Sequence, residues 1–279
     1  MVAHNPIPNF QTATDSTPPS IPQALTPQFR EIDYGNNVAQ RTLCVLVLDL
    51  SGSMAIRSGN GDKRRIDMLN EGIEAFYHDL MKDETARNRV RLAIVIVGGV
   101  NDTAELMMDW TDAIDFFPIK FRENGMTPLG QGMLLALNLI EQERINLRDN
   151  GINYTRPWVI AMTDGLPTDS QDVWQAAINQ CHQAEQNNQC IIYPIAIDAG
   201  VQEVKMLKQL SILTPPVHLN SVKFVEFFVW LSASLKTVSQ SAPGETVQLG
   251  SISPWATIQS WKIISFNAHN NEKPKKNWG

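Results

Sequence analysis

From residue 42 onward, unbroken apolar blocks alternate with segments whose apolar positions recur every three or four residues. Thr42–Asp49, Val90–Gly98, Trp158–Thr163 and residues 190–197 read as strands buried on both faces. A strand with one wet face would instead alternate apolar and polar positions. Residues 66–82, 128–147, 222–239 and Gln171–Gln186 read as helices. Ile66, Leu69, Ile73, Phe76, Tyr77 and Leu80 share one face of the first, and Leu129, Met133, Leu137 and Ile140 one face of the second. Weaker patterns suggest a short edge strand over 104–110, a short helix over 202–211 and a short strand at Val217–Leu219. Pro194 counts against the strand over 190–197, because proline cannot donate to a ladder. The alternation predicts an α/β fold: a doubly wound, mostly parallel central sheet with helices on both faces and one short antiparallel edge strand.

The 279 residues are 43% apolar, enough for a core of that kind. Residues 1–40, rich in Pro, Thr, Gln and Asn, read as a flexible N-terminal arm. Residues 41–241 form the domain. Residues 242–279 read as an extension, partly packed and mobile toward its end, where Lys273, Lys275 and Lys276 cluster. A net charge of −6 argues against a general nucleic-acid binder. Three cysteines, Cys44, Cys181 and Cys190, have no metal-binding spacing and read as reduced apolar fillers. With no visible leader and no apolar run long enough to span a bilayer, a cytoplasmic location is expected.

Candidate chemistry lies at three strand ends. Asp49, Ser51 and Ser53 follow the first strand at alternate positions. Thr127 precedes Pro128 in the loop before the second long helix. Asp164 follows the strand Trp158–Thr163. In an open α/β sheet this edge is where ligands bind. Two carboxylates and three hydroxyls suit a hard divalent ion, Mg²⁺ or Mn²⁺, rather than a soft one. Two carboxylates about neutralise such an ion, and hydroxyls add no charge, so the ion stays electrophilic toward an incoming anion. Taken singly, the serines could serve a turn, and Thr127 with Pro128 could cap the following helix.

The pattern Asp49-x-Ser51-x-Ser53, then Thr127, then Asp164, resembles the metal-ion-dependent adhesion site of von Willebrand factor A domains. The resemblance covers residues 40–240. It implies a Rossmann-like sheet, Mg²⁺ (or Mn²⁺) at its upper edge, and a partner protein's Asp or Glu carboxylate completing the coordination. Asn70-Glu71-Gly72, the stretch from Thr163 to Asp169, and Phe227-Phe228-Val229-Trp230-Leu231-Ser232 resemble the bacterial TerY-like branch. That branch implies a role in tellurite-resistance or stress systems beside a kinase or phosphatase.

The first loop departs from that branch in length and carries Arg57, Lys63, Arg64 and Arg65, which are expected to form a positive rim for acidic partners. Asp169 is expected to cap the helix that follows it. Asp198 ends a strand near the same edge. Trp110, Trp255 and Trp261 are candidates for a docking surface, whereas Trp174, Trp230, Phe224, Phe227 and Phe228 read as core. Two functions compete. One is a non-enzymatic, metal-dependent protein-interaction module. The other is a metal-dependent phosphohydrolase using the same site, but Ser51 stands where that chemistry needs a second carboxylate, and no His or Lys lies within the three motif segments, residues 46–54, 125–130 and 159–165, to act as base.

Overall fold

A run of residues buried on both faces must feed two cores, and β1 (Thr42–Asp49) does so by simple alternation. Cys44, Leu46 and Leu48 enter one apolar cluster, Val45 and Val47 the other. The same parity holds in β4 (Trp158–Thr163) and β5 (Ile191–Ile197). These residues belong to a computed structural model that describes residues 39–58, 62–219, 223–242, 245, 247–252 and 256–257. Nearly all of the expected N-terminal arm, the Lys273 cluster, Trp255 and Trp261 lie outside the described residues.

Seven strands form one sheet in the order β3-β2-β1-β4-β5-β6-β7. β2 (Val90–Gly98), β1, β4, β5 and β6 (Val217–Leu219) run parallel. Antiparallel strands flank them: β3 (Thr103–Asp112) beside β2 and β7 (Ala256–Thr257) beside β6. The expected edge strand is thus longer than its pattern suggested. β3 is only half buried and its ladder shifts register twice between Leu92 and Val95, which blurs the alternation. The two residues of β7 carry no readable period. Pro194 is tolerated because the ladder to β6 begins only at Ile195.

Helices cover both faces. α1 (Arg65–Leu80) and α6 (Phe224–Gln240) pack on the side of Cys44 and Leu46; α3 (Leu129–Asp149) and α4 (Gln171–Gln186) pack on the side of Val45. Gly72 lets α1 come close to α6, since a Cβ there would lie 2.5 Å from Phe228. α2 (Glu84–Arg89), unmarked by any apolar stripe, starts at an Asp83 side chain that accepts from the Ala86 amide. α5 (Val201–Leu207) follows β5. Part of the C-terminal extension joins this core: Val247, Ile252 and Ala256 are buried, and Trp230 Nε1 donates to the Gly250 carbonyl at 2.9 Å. Phe224, Phe227, Phe228, Trp174 and Trp230 are all buried, as their helical spacing indicates.

β1 has β2 on one side and β4 on the other. The chain winds outward in both directions from this pair, so the β1/β4 boundary is the switch point at which an open sheet leaves a crevice.

Candidate metal centre

β1 and β4 are in parallel register with Leu48 beside Met162. The next two residues, Asp49 and Thr163, therefore reach the C-terminal edge side by side. The Thr163 hydroxyl donates to Asp49 Oδ2, and the Ser51 amide donates to Oδ1 at 2.8 Å. A 3₁₀ turn, Gly52–Ala55, then folds the chain back and brings Ser51 Oγ and Ser53 Oγ to 2.9 Å from each other. Ser53 Oγ donates to Asp164 Oδ1 at 2.5 Å. Ser51, Ser53 and Asp164 thus form a continuous chain of oxygens, to which the Ser51 amide ties Asp49.

Thr127 arrives on a long loop tied down from several sides. The Asn70 amide makes a reciprocal pair with the Phe121 backbone at 2.8 and 3.0 Å. Asn124 N–H donates to Leu50 O at 2.7 Å, and Gly52 N–H donates to Gly125 O at 2.9 Å. The Met126 amide donates to Asp102 at 2.7 Å. Gly125 has φ +79°, and a Cβ there would lie 2.3 Å from Gly99 O, so only glycine fits this turn. Thr127 is also clasped to the third loop, its amide donating to Thr168 Oγ1 at 3.0 Å and its carbonyl accepting from the Thr168 amide at 2.9 Å. A Cβ added to Gly165 would sit 3.5 Å from Thr127 Oγ1 and 3.8 Å from Ser53 Oγ. The hydroxyls of the first and second loops therefore border one small space beside the third.

The expected capping role of Thr127 is corrected by this geometry. The helix starts at Leu129 with Pro128 as its N-cap residue, and the Thr127 hydroxyl makes no hydrogen bond among the described residues. Asp169 takes the capping role instead, accepting from the Gly130 and Gln131 amides at 2.7 and 3.0 Å. It caps α3 across the loop, not the helix that follows it. α4 is capped by Ser170, whose hydroxyl accepts from Val173 N–H. Sequence spacing favoured the near helix; only the fold brings α3 to Asp169.

Asp49 is 1% exposed, Ser51 3%, Thr127 5% and Asp164 8%. Burial pushes the Asp49 carboxyl up to about 6, the Asp164 charge pushes the same way, and the hydrogen bonds from Thr163 and Ser51 pull it back. Hydroxyl and carboxylate oxygens are the donors a hard divalent ion prefers, and among the described residues no three His, Cys, Asp or Glu side chains gather to hold a softer one. The donor set fits Mg²⁺ or Mn²⁺. The three cysteines are buried, and burial raises the Cys44, Cys181 and Cys190 thiols, so none is poised as a thiolate.

Residues of the first loop lie differently from expectation. Arg57 is paired with Asp62, Lys63 with Glu71 at 2.6 Å, and Arg64 with Asp67 at 2.7 Å and with Glu123. Arg65 does not face outward at all: its side chain is 13% exposed and donates to Asp164 Oδ2 at 2.7 Å. Each of the four bases thus has an acidic partner, and Arg57, Lys63 and Arg64 keep their side chains partly exposed. Asp198, at φ 42°, reaches the same edge, 3.6 Å from Arg65 Nε. Trp110 is half buried, with its Nε1 donating to Leu139 O, so it is not a free docking surface. Sequence reasoning missed Thr163, Thr168 and the true place of Arg65. The β1/β4 register could have flagged Thr163. Nothing local marks Arg65.

No protein-family model matches the chain, and no curated protein does. Solved structures do. The pilus adhesin SpaC from Lactobacillus rhamnosus GG matches at a TM-score of 0.56 and 13% identity, over 72% of this chain and 32% of SpaC. The open conformation of SpaC gives a TM-score of 0.53. The vWF domain of the type V pili tip protein Mfa5 from Porphyromonas gingivalis matches at a TM-score of 0.53 and 12% identity, over 73% of this chain and 98% of that domain. The chain spans about a third of SpaC's length. Identities this low speak to architecture alone. With its sheet order, its helices on both faces and this likeness, the chain has the von Willebrand factor A fold.

Proposed function

We propose that this protein is a non-enzymatic, metal-dependent protein-interaction module. Asp49, Ser51, Ser53, Thr127 and Asp164 would hold Mg²⁺ or Mn²⁺, and a carboxylate from a partner protein would complete the coordination. The bound ion supplies Lewis acidity toward an anionic ligand. Asp49 and Asp164 supply the charge; Ser51 and Ser53 supply neutral oxygens; Thr127, unbonded through its hydroxyl, is free to join them. The observation that carries this reading is the convergence of five hard oxygens, only two of them charged, at the switch point of the sheet.

Catalysis finds less support. Among the described residues the side chains bonded to the five include those of Thr163, Thr168 and Arg65, with Asp198 3.6 Å from Arg65, and no His or Lys is among them. SpaC and Mfa5 are described as a pilus adhesin and a pili tip protein, and an interaction role is in keeping with those descriptions. The finer placement, a scaffold of the bacterial TerY-like, tellurite-resistance or kinase/phosphatase type, rests on the motif resemblance. A cytoplasmic location rests on the three free buried thiols. No helix among the described residues is long and apolar enough to cross a membrane.

The test is titration of the full chain with Mn²⁺, followed by electron paramagnetic resonance of the free ion. Saturable binding of one ion that is lost in Asp49→Ala and in Ser51→Ala/Ser53→Ala supports the reading. Binding that survives both variants places the ion elsewhere and sinks it. A second arm compares partner capture by wild type with and without EDTA.

A further inference from the structure

The chain carries a cation of its own inside the proposed centre. Arg65 opens α1, yet its guanidinium is directed into the site and donates through one terminal nitrogen to Asp164 Oδ2 at 2.7 Å. The other oxygen of Asp164 accepts from Ser53. The Asp164 side chain is fully buried and that of Arg65 nearly so. Arg65 Nε lies 3.6 Å from Asp198 and 3.5 Å from Ser58 Oγ. The backbone holds this pose. Arg65 N–H donates to Ile56 O at 3.0 Å, and Arg57 bridges to Arg64, so the ends of the long first loop are closed just before Arg65 enters the site.

We infer that Arg65 is the resident counter-cation of the metal centre, a positioning residue that lowers its affinity for a free ion and makes ion binding depend on an incoming carboxylate. This rests on the metal reading above. The charges on the page make the argument. Asp49 and Asp164 give −2 and Arg65 returns one unit, so a divalent ion meets a shell of about −1 and the loaded centre carries about +1. A partner's carboxylate would bring that to zero. Without Arg65 the two aspartates alone would neutralise the ion, and the attraction for an outside carboxylate would fall. Arg65 also engages the outer oxygen of Asp164, leaving Oδ1, on the Ser53 side, as the oxygen nearest the hydroxyls. The Asp198 charge partly offsets Arg65 from behind and is expected to moderate its effect.

The experiment is Mn²⁺ titration by calorimetry on the full chain as wild type, Arg65→Gln, Arg65→Lys and Asp198→Asn. Removing one positive charge a single carboxylate away from the ion is expected to tighten Mn²⁺ binding on the order of tenfold. Arg65→Lys keeps the charge and is expected to stay near wild type. Asp198→Asn removes an offsetting negative charge and is expected to weaken binding severalfold. A merely structural Arg65 predicts the opposite sign: losing it misplaces Asp164 and weakens the ion. The thermal shift produced by Mn²⁺ is a second readout, larger in Arg65→Gln than in wild type, and it reports on this variant even where its metal-free form is destabilised. Wild type that binds Mn²⁺ while Arg65→Gln binds it equally or more weakly overturns the inference and leaves the metal reading standing. Wild type and Arg65→Gln both blind to Mn²⁺ overturns the two together. Tighter binding in Asp198→Asn also counts against it.

Discussion

Two buried acidic knots sit at opposite edges of the sheet, and they are built on different principles. At the N-terminal edge, Glu185 ends α4 and accepts from Ile192 N–H at 2.9 Å, Ser211 Oγ at 2.9 and 3.0 Å, Ile212 N–H at 2.7 Å and Leu213 N–H at 3.3 Å. Its carboxylate is saturated with donors and stitches the 211–214 loop to β5. At the C-terminal edge, Asp49 has two donors, Asp164 has two, and the serine hydroxyls point at each other and at Asp164. Burial raises both Glu185 and Asp49. At Glu185 four donor groups offset part of it. At the other edge an oxygen cluster is left under-donated. A fully served acid is architecture; an under-served cluster of hard oxygens is a site for a cation.

The comparison is broken most sharply by removing the neutral oxygens. Ser51→Ala/Ser53→Ala is expected to weaken Mn²⁺ binding by roughly 100-fold or more, by analogy with the cost of lost ligand support at other metal sites. Folding stability of the metal-free protein should fall by about 1–3 kcal/mol, because Asp164 Oδ1 loses its Ser53 donor while the fold keeps its packing. Urea denaturation of the metal-free variant measures the second quantity. Glu185→Ala is the mirror experiment. It strands four donors in a buried loop and is expected to cost about 3 kcal/mol or more of stability, read from the urea midpoint. Its Mn²⁺ affinity should match wild type, since the knot lies at the far edge. If Glu185→Ala also lost the ion, the two edges would be coupled and the contrast between them would fail.

How much of this contrast could be read from the chain follows from the range of the interactions involved. The switch-point oxygens were legible because they are local: Asp49, Ser51 and Ser53 lie within one turn, and each of the other two donors abuts a strand or helix end that hydrophobic period alone marks. The saturated knot was not legible. Glu185 sits on a helix face among Gln and Asn, and its donors come from 7 to 28 residues away. Asp169 reads as a cap of the wrong helix for the same reason, because its partners Gly130 and Gln131 are 39 and 38 residues back. Arg65 reads as surface charge from the sequence alone. A run of bases reads as solvated until the loop's closure at Ile56 shows that one of them points inward. Patterns set by backbone period survive in the sequence; pairings set by tertiary approach do not.

Proton competition sharpens the comparison further. The Asp49 carboxyl is raised from 3.8 to about 6, chiefly by burial. A raised acid favours the protonated folded state. In the metal-free protein the contribution of Asp49 to stability is therefore present at acidic pH and is lost as pH rises from about 3.8 to about 6. Glu185 is shifted the same way by burial and adds to that trend. The ion reverses it at one edge only, because it must displace the proton from Asp49. Mn²⁺ affinity is expected to fall up to about tenfold for each pH unit below that value. Thermal melts at pH 5 and pH 7.5, with and without Mn²⁺, check both signs: metal-free stability lower at the higher pH, and the metal-induced shift larger there.

The finest probe is a single methyl group. Gly165 follows Asp164, and a Cβ on it would meet Thr127 Oγ1 at 3.5 Å and Ser53 Oγ at 3.8 Å, which are ordinary contact distances. The fold should therefore accept Gly165→Ala within a few tenths of a kcal/mol. The methyl would, however, stand in the space that the hydroxyls of two loops share. If that space is where the ion and its waters sit, Mn²⁺ affinity should fall severalfold while the melting temperature of the metal-free protein stays put. If Thr127 is only a loop residue clasped by Thr168, the methyl should change neither quantity. A Thr127→Val partner variant separates the cases, because it keeps the volume and the backbone clasp and removes just the one oxygen that bonds to nothing else among the described residues. Equal Mn²⁺ affinity in Gly165→Ala, Thr127→Val and wild type would reduce the centre to the oxygens of the first and third loops.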